Sequence, residues 1–408
     1  MSGSVDSVYI FVSDALRYDR TPDRLSDYGP VVKTAASATN TCTSFPTIMT
    51  GLYPPQHGVW TFSGLVDPST PTIFDLVDGS FPCYWTPSPV HDSVDDVAHN
   101  NDLAAFLREL DRHEGPFVVL DRDNSTHLPY GYDSADGVDE ATERYGYDMS
   151  PPLRSEDGKL TTDEYRASRA GDFERRRSEY DLAAEASVRR FENRLNVLRD
   201  FGMLEDTLVV FTADHGEELG EFGRFTHGRT PVPGTVYVPT LFHRPDGEIT
   251  AEGDFMSHTD LFPTMASAMG EPTPDGPGYD LFEGVPDGRL VFSAIRTSSY
   301  SGERLEYGAW ERDGGHAFSD VLKDVPAEIV HFLKEREYSW REALAVARGE
   351  FARRNRAFGA PESDRDEARR FCRNVLERSE GGSNRTQELD DEVKDHLEDL
   401  GYREDTIE

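Results

Sequence analysis

Lysine is almost missing from this chain. Lys33, Lys159, Lys323, Lys334 and Lys394 are the only ones in 408 residues, and arginine carries the remaining positive charge. Lysine and arginine together number 42 against 77 acidic side chains, a formal net charge of -35. So few cations cannot neutralise a phosphate backbone, and this excludes a general nucleic-acid-binding role. Cysteine is scarce too. Cys42, Cys83 and Cys372 are far apart and odd in number, which excludes a disulfide framework and a cysteine-type zinc site. No uncharged apolar run approaches the roughly 18 residues that a membrane-spanning helix needs. The opening MSGSVDSVYIFVSDALR lacks both the basic segment and the long apolar segment of a secretory signal. A soluble cytoplasmic protein is the expectation.

What remains suits one large α/β domain with an appendage, and a hydrophobic share of 37% supports a core. Concentrated salt screens the self-repulsion of so acidic a surface. Acid excess with lysine depletion therefore fits an enzyme of a salt-rich cytoplasm, as in halophilic archaea.

The most informative stretch is Thr207 to Gly228, TLVVFTADHGEELGEFGRFTHG. A short, apolar, β-branched run predicts a buried strand over 208–211, and Asp214 and His215 follow at its C-terminal end. Ligands of open α/β sheets bind there. Two further apolar runs repeat the arrangement. Residues 8–12 predict a strand ending at Asp14, which suits either a metal ligand or a helix N-cap. Residues 116–120 predict a strand leading to His127. The Lys33 to Gly58 segment is rich in serine and threonine and runs into a predicted helix, with Pro46 suited to its first turn. Spacings of three and four over 175–200 predict a helix packed on the sheet and closed by Gly202, ahead of the 208–211 strand as in a βαβ unit. Short helices are expected over 72–77 and 102–110, a loop or edge strand over 82–89, and a lid loop over 131–161. Further on, a strand over 236–242 and a helix over 260–269 are followed by antiparallel strands at 290–295 and 305–310. An exposed amphipathic helix is expected over 351–378.

Asp14, a hydroxyl within Thr39–Ser44, Asp214 and His215 form a set suited to a divalent cation. A hydroxyl bound to such a cation becomes a nucleophile. His127 and His227 complete a toolkit for displacement at phosphorus or sulfur.

Five stretches, VYIFVSDALRYD, TSFPTIMTGLYPPQHGV, HLPY at His127, TLVVFTADHGEELGEFG and SHTDLFPTMASAMG, occur in an order and spacing that resemble the sulfatase branch of the alkaline-phosphatase superfamily. The resemblance covers roughly residues 5 to 310. It implies an α/β/α sandwich with a mostly parallel central sheet and a smaller C-terminal subdomain. The expected organisation is a catalytic core over 1–290, a β layer over 291–325 and an acidic helical, partly disordered tail over 326–408. Position by position, it implies that Asp14, Asp214, His215 and Thr41 hold one divalent ion (Mn, Mg, Ca or Zn). Thr41 is then the nucleophile, His127 binds substrate, and His227 stands where the family has a substrate-contacting Lys or His. The chain departs from sulfatases in lacking the Cys-x-Pro-x-Arg motif that is oxidised to formylglycine. Ala15 also replaces a second N-terminal Asp, and His215 replaces Asn. A threonine nucleophile resembles the phosphate-handling relatives. The expected function is therefore hydrolysis or transfer of phosphate mono- or diesters. A sulfate-ester hydrolase, including one using a modified Cys42, and a catalytically silent binding protein are the alternatives. His258 and Asp260 are read as a capped helix start, His57 as a packing histidine, and Arg17 as a partner of a carboxylate.

Overall fold

Alternating apolar residues in two neighbouring strands separate the core into two faces. The computed structural model describes residues 5–77, 115–128, 130, 173–223, 225–244, 254–299, 302–319, 348–349, 351–379, 382–383, 385–389, 394 and 397. Its main sheet is built from β1 (Ser7–Ser13), β2 (Val32–Ala35), β3 (Val118–Asp123), β4 (Thr207–Thr212), β5 (Tyr237–His243) and β6 (Phe255–Ser257). The spatial order is β3-β1-β4-β5-β2-β6. Of these six, β5 alone runs against its neighbours. The C-terminal ends of β1, β2, β3 and β4 therefore lie along one edge.

Val8, Ile10 and Val12 of β1, with Leu208 and Val210 of β4, face α1 (Thr41–Thr50), which contributes Phe45, Ile48 and Met49. Tyr9, Phe11, Val209 and Phe211 face the opposite way, onto α2 (Phe173–Asp200). Ala184, Val188, Phe191, Leu195 and Leu198 of α2 meet them at the predicted spacing, with the Phe191 ring 5.1 Å from that of Phe211. Gly202, at φ +70°, turns the chain out of this helix. A further helix, α3 (Leu261–Met269), buries Leu261, Phe262 and Met265 on the α1 face and ends at Gly270 in the left-handed conformation. Two helical faces around a mostly parallel sheet make the expected α/β/α sandwich.

A second, antiparallel sheet comprises β7 (Val291–Ser299), β8 (Gly302–Glu311), β9 (Gly314–Ser319) and β10 (Ala357–Gly359). Trp310, Phe292 and Phe318 fill its core together with Val236, Tyr237 and Phe255 from the main domain.

Two expectations need correction. Pro46 lies in the second turn of α1, because the helix begins at Thr41 rather than nearer the proline. Residues 351–378 do not form one helix. Asn355 takes φ +51° and Gly359 φ +65°, the strand β10 intervenes, and helix resumes only in α4 (Arg365–Glu377), capped by Asp364. Within the stretch 326–408, expected as an acidic helical, partly disordered tail, the described residues pack onto the rest of the chain. Phe358, Ala368 and Cys372 are buried against the second sheet, and Leu389 and Leu397 are buried in the main core. The chain puts its acids on the outer face of α4 and keeps Ala368 and Cys372 inward, so high charge there reflects one solvated face. The expected 102–110 helix, the 82–89 segment and the 131–161 loop lie outside the described residues.

Candidate metal and ester-transfer site

Each strand end delivers one part of a buried polar cluster. After β1 the backbone turns sharply at Ala15, whose φ of +64° is costly for a residue with a Cβ. That turn aims the Ala15 N–H at Asp214 Oδ1, 3.1 Å away. The same oxygen accepts from His215 N at 2.9 Å. Across the site, Asp14 Oδ2 accepts from Arg122 Nε at 3.0 Å and also from Nη2 of the same guanidinium. Each aspartate thus has one oxygen tied to the protein. The other oxygens, Asp14 Oδ1 and Asp214 Oδ2, are buried with no hydrogen-bond donor. They stand 3.7 and 3.5 Å from His215 Nε2.

The histidine makes this convergence informative. His215 Nδ1 lies 2.9 Å from the Gly216 carbonyl, which only accepts, so in the neutral ring Nδ1 carries the hydrogen and Nε2 a lone pair. Two carboxylate oxygens and a lone pair then meet in a space closed to water, with all three side chains fully buried. Such a donor set is unfavourable alone and suits a divalent cation. The ligand atoms lie within 4.8 Å of one another, and among the described residues this is the group of acids and histidines arranged to hold a metal.

Thr41 opens α1 directly after Asn40, and its Oγ1 lies 3.3 Å from His215 Nε2. Its position is fixed by the loop before it. Thr39 O accepts from Gly228 N at 2.6 Å, and Thr39 Oγ1 donates to Arg229 O at 2.8 Å. These bonds also bring the adjacent His227 into the cluster. The His227 ring centroid is 4.4 Å from that of His215 and 4.8 Å from that of His127. All six expected residues, Asp14, Thr41, His127, Asp214, His215 and His227, are therefore gathered in one place.

Their electrostatics differ. Burial works to raise the Asp14 carboxyl, but Arg122 and the neighbouring histidines outweigh it and hold it below the usual range. Burial, then the Asp14 charge, raises Asp214. Neighbouring buried acids separate in this way. Burial pushes the His127 imidazole down to about 4, against the pull of Asp14. His127 Nδ1 lies 2.6 Å from Leu128 O, so in the neutral ring the lone pair is on Nε2. Cys42 points into the apolar core with Phe45 and Ile48, and burial raises its thiol to about 12.

The other singled-out residues take structural places. His258 Nε2 meets Ala213 O at 2.9 Å, and Asp260 accepts from Ser257 N, Tyr279 N and Arg289. Arg17 binds Asp19 and Glu221. His57 is buried between Thr47 and Val59. Sequence reasoning passed over Arg122 and Glu217. The signal for Arg122 was a charged DRD run continuing a fully buried strand. Glu217 follows His215 by two residues, and its Oε2 lies 3.3 Å from His227 Nδ1.

Comparison with known proteins bears on family and fold. A family model described as Sulfatase matches residues 82–271. A low-salt glycan biosynthesis sulfotransferase of Haloferax volcanii is 31% identical over 422 residues, covering 97% of this chain and 96% of that protein. The fold is shared with a structure solved in complex with its substrate D-glucosamine-2-N,6-O-disulfate, at a TM-score of 0.57 and 14% identity over 85% of this chain and 97% of that one. It is also shared with a phosphonate monoester hydrolase of Agrobacterium radiobacter, at a TM-score of 0.54 and 15% identity over 85% of this chain and 96% of that one. Among the described residues no helix is long and apolar enough to cross a membrane.

Proposed function

This chain belongs to the sulfatase family of the alkaline-phosphatase-like superfamily of ester-cleaving enzymes, and on that premise we propose that it cleaves or transfers a singly charged tetrahedral ester through Thr41. The observation that carries this is the Thr41 hydroxyl at the start of α1, 3.3 Å from His215 Nε2, beside two carboxylate oxygens that have no protein donor. Asp14, Asp214, His215 and Thr41 would hold one divalent cation, which when bound supplies charge neutralisation and a lowered pKa for the threonine hydroxyl.

Thr41 Oγ1, its hydrogen given up to solvent before the attack, then bonds to the central atom as the bond to the leaving oxygen breaks. His227 donates a hydrogen to that oxygen. Neutral His127 suits the second half of the reaction, accepting the hydrogen of the water or alcohol that releases the group from Thr41. One histidine to give a hydrogen and one to accept it are what a two-step transfer requires.

Sulfate esters are the first candidate, supported by the sulfotransferase name of the Haloferax relative. The charge balance supports a monoanion as well. Among the described residues Asp14, Asp214 and Glu217 offset Arg122 and one divalent cation, and a protonated His227 then leaves a single positive charge, which matches a monoanion better than a doubly charged phosphate monoester. A phosphate diester is the second reading, favoured by Thr41 in place of a modified cysteine. The placement of the Cys42 side chain in the apolar core with Phe45 and Ile48 weighs against a Cys42-derived nucleophile.

The test is Thr41→Ala, assayed at high salt on 4-nitrophenyl sulfate and bis(4-nitrophenyl) phosphate with bound metal measured alongside. We expect kcat to fall at least about 1000-fold with the fold intact, and Thr41→Ser to restore part of it. Full activity in Thr41→Ala would sink the mechanism.

A further inference from the structure

Glu217 is fully buried next to the histidine rings. A carboxylate withdrawn from water is costly unless donors or cations meet it. Its Oε2 lies 3.3 Å from His227 Nδ1. The backbone beneath it is held from three sides. Arg17 Nη1 donates to Glu217 O at 3.1 Å. Next in the chain, Glu218 is gripped by Arg353, whose Nη1 and Nη2 donate at 2.5 and 2.8 Å. On the other side, Gly216 N donates to Thr235 O at 2.9 Å, and a Cβ on Gly216 would come within 2.1 Å of the Gly234 carbonyl. These contacts fix the backbone from which the Glu217 carboxylate reaches His227.

A carboxylate accepts hydrogen bonds, so Nδ1 is the ring nitrogen that carries the hydrogen in this contact. The nitrogen left for substrate is Nε2. We propose that Glu217 is a positioning residue for His227. It holds the ring with Nδ1–H toward itself, presents Nε2–H to the departing oxygen, and steadies the imidazolium until that hydrogen leaves. The inference rests on the ester-transfer reading above. In the step concerned, Thr41 Oγ1, already deprotonated to solvent, bonds to the central atom while the bond to the leaving oxygen breaks. The electron pair of the broken bond stays on that oxygen, which takes the Nε2 hydrogen. Without Glu217 the ring loses the acceptor that selects the Nδ1–H tautomer.

The leaving group separates this role from a structural one. A 4-nitrophenolate departs without a proton, whereas phenolate needs one more. Glu217→Gln should lower kcat on phenyl sulfate by about 100-fold and on 4-nitrophenyl sulfate by less than about 3-fold, with KM little changed. Combined with His227→Gln, it should add no further loss on phenyl sulfate. Equal losses on both esters, or multiplicative losses in the double variant, would overturn the proposal. A second readout needs no turnover. Nitrogen NMR of the histidine-labelled, metal-loaded protein, with the His227 signal identified by its loss in His227→Gln, should show a hydrogen bonded to Nδ1. A bare Nδ1 would overturn the proposal even in an active enzyme. If the wild type cleaves neither ester, the sulfate reading fails, and the NMR result still decides the Glu217–His227 relation.

Discussion

Three buried histidines, His57, His127 and His258, have imidazoles pushed far below their ordinary value, each chiefly by burial. His57 shows why most plainly. Val59 N donates to its Nδ1 at 3.1 Å, so in the neutral ring Nε2 carries the hydrogen and donates to Thr47 Oγ1 at 3.2 Å. A proton added to Nδ1 would face an N–H. In the folded protein His57 protonates only near pH 3, whereas in the unfolded chain it does so near pH 6.5. The folded state therefore binds fewer protons in that window, and stability falls as pH drops from about 6.5 toward 3. His57→Gln should unfold more readily than the wild type at neutral pH by denaturant titration. That gap should shrink by a few kcal/mol as the pH is lowered at constant salt, and parallel curves would refute the account. At this scale the sequence was legible wherever chemistry was local. Asp14, Asp214 and His215 each follow an apolar strand, and Thr41 follows a run of small hydroxyl residues. Arg122 and Glu217 were not legible. Their importance lies in partners 108 and 10 residues away, and nothing in a DRD or an HGE run states which groups they will meet.

At the scale of elements, the segment around Arg353 reaches from the C-terminal layer to the loop after His215. Arg353 and Glu218 are both almost wholly excluded from solvent, and the guanidinium also lies 4.9 Å from the Phe222 ring centroid. Removing one member of such a pair strands the other charge. Arg353→Met is expected to destabilise the protein by about 3–5 kcal/mol, measured as a lowered melting temperature. Arg353→Met with Glu218→Met should recover most of the loss. A double variant no better than the single one would show that packing, not the stranded charge, governs this contact. Strand and helix positions in the core were legible from periodicity, as β1, β4 and α2 attest. The break between 351 and 378 was not. It depends on Asn355 and Gly359 taking left-handed backbone to let β10 pair with β9, a preference set by tertiary contact.

At the scale of the whole molecule, a net charge of -35 acts on every residue at once. The screening length is about 3 Å in molar salt and about 10 Å at 0.1 M. Neighbouring surface acids that ignore each other in the first case repel in the second. Melting temperature should therefore fall steadily as potassium chloride is diluted from molar concentrations to about 0.1 M at fixed pH. A flat profile would mean that the acidic surface does not limit stability. The Arg353–Glu218 pair also bears on how the molecule is made. Asp14, Thr41, His127, Asp214, His215 and His227 all leave the ribosome well before Arg353 does. A growing chain therefore owns its whole set of candidate reactive groups while Glu218, three residues from His215, still lacks its buried cation. Since folding proceeds from the N-terminal side during synthesis, the loop carrying Glu217 and Glu218 is locked only late. The loop beside the candidate site therefore gains its buried counter-charge only after the segment around Arg353 has been made.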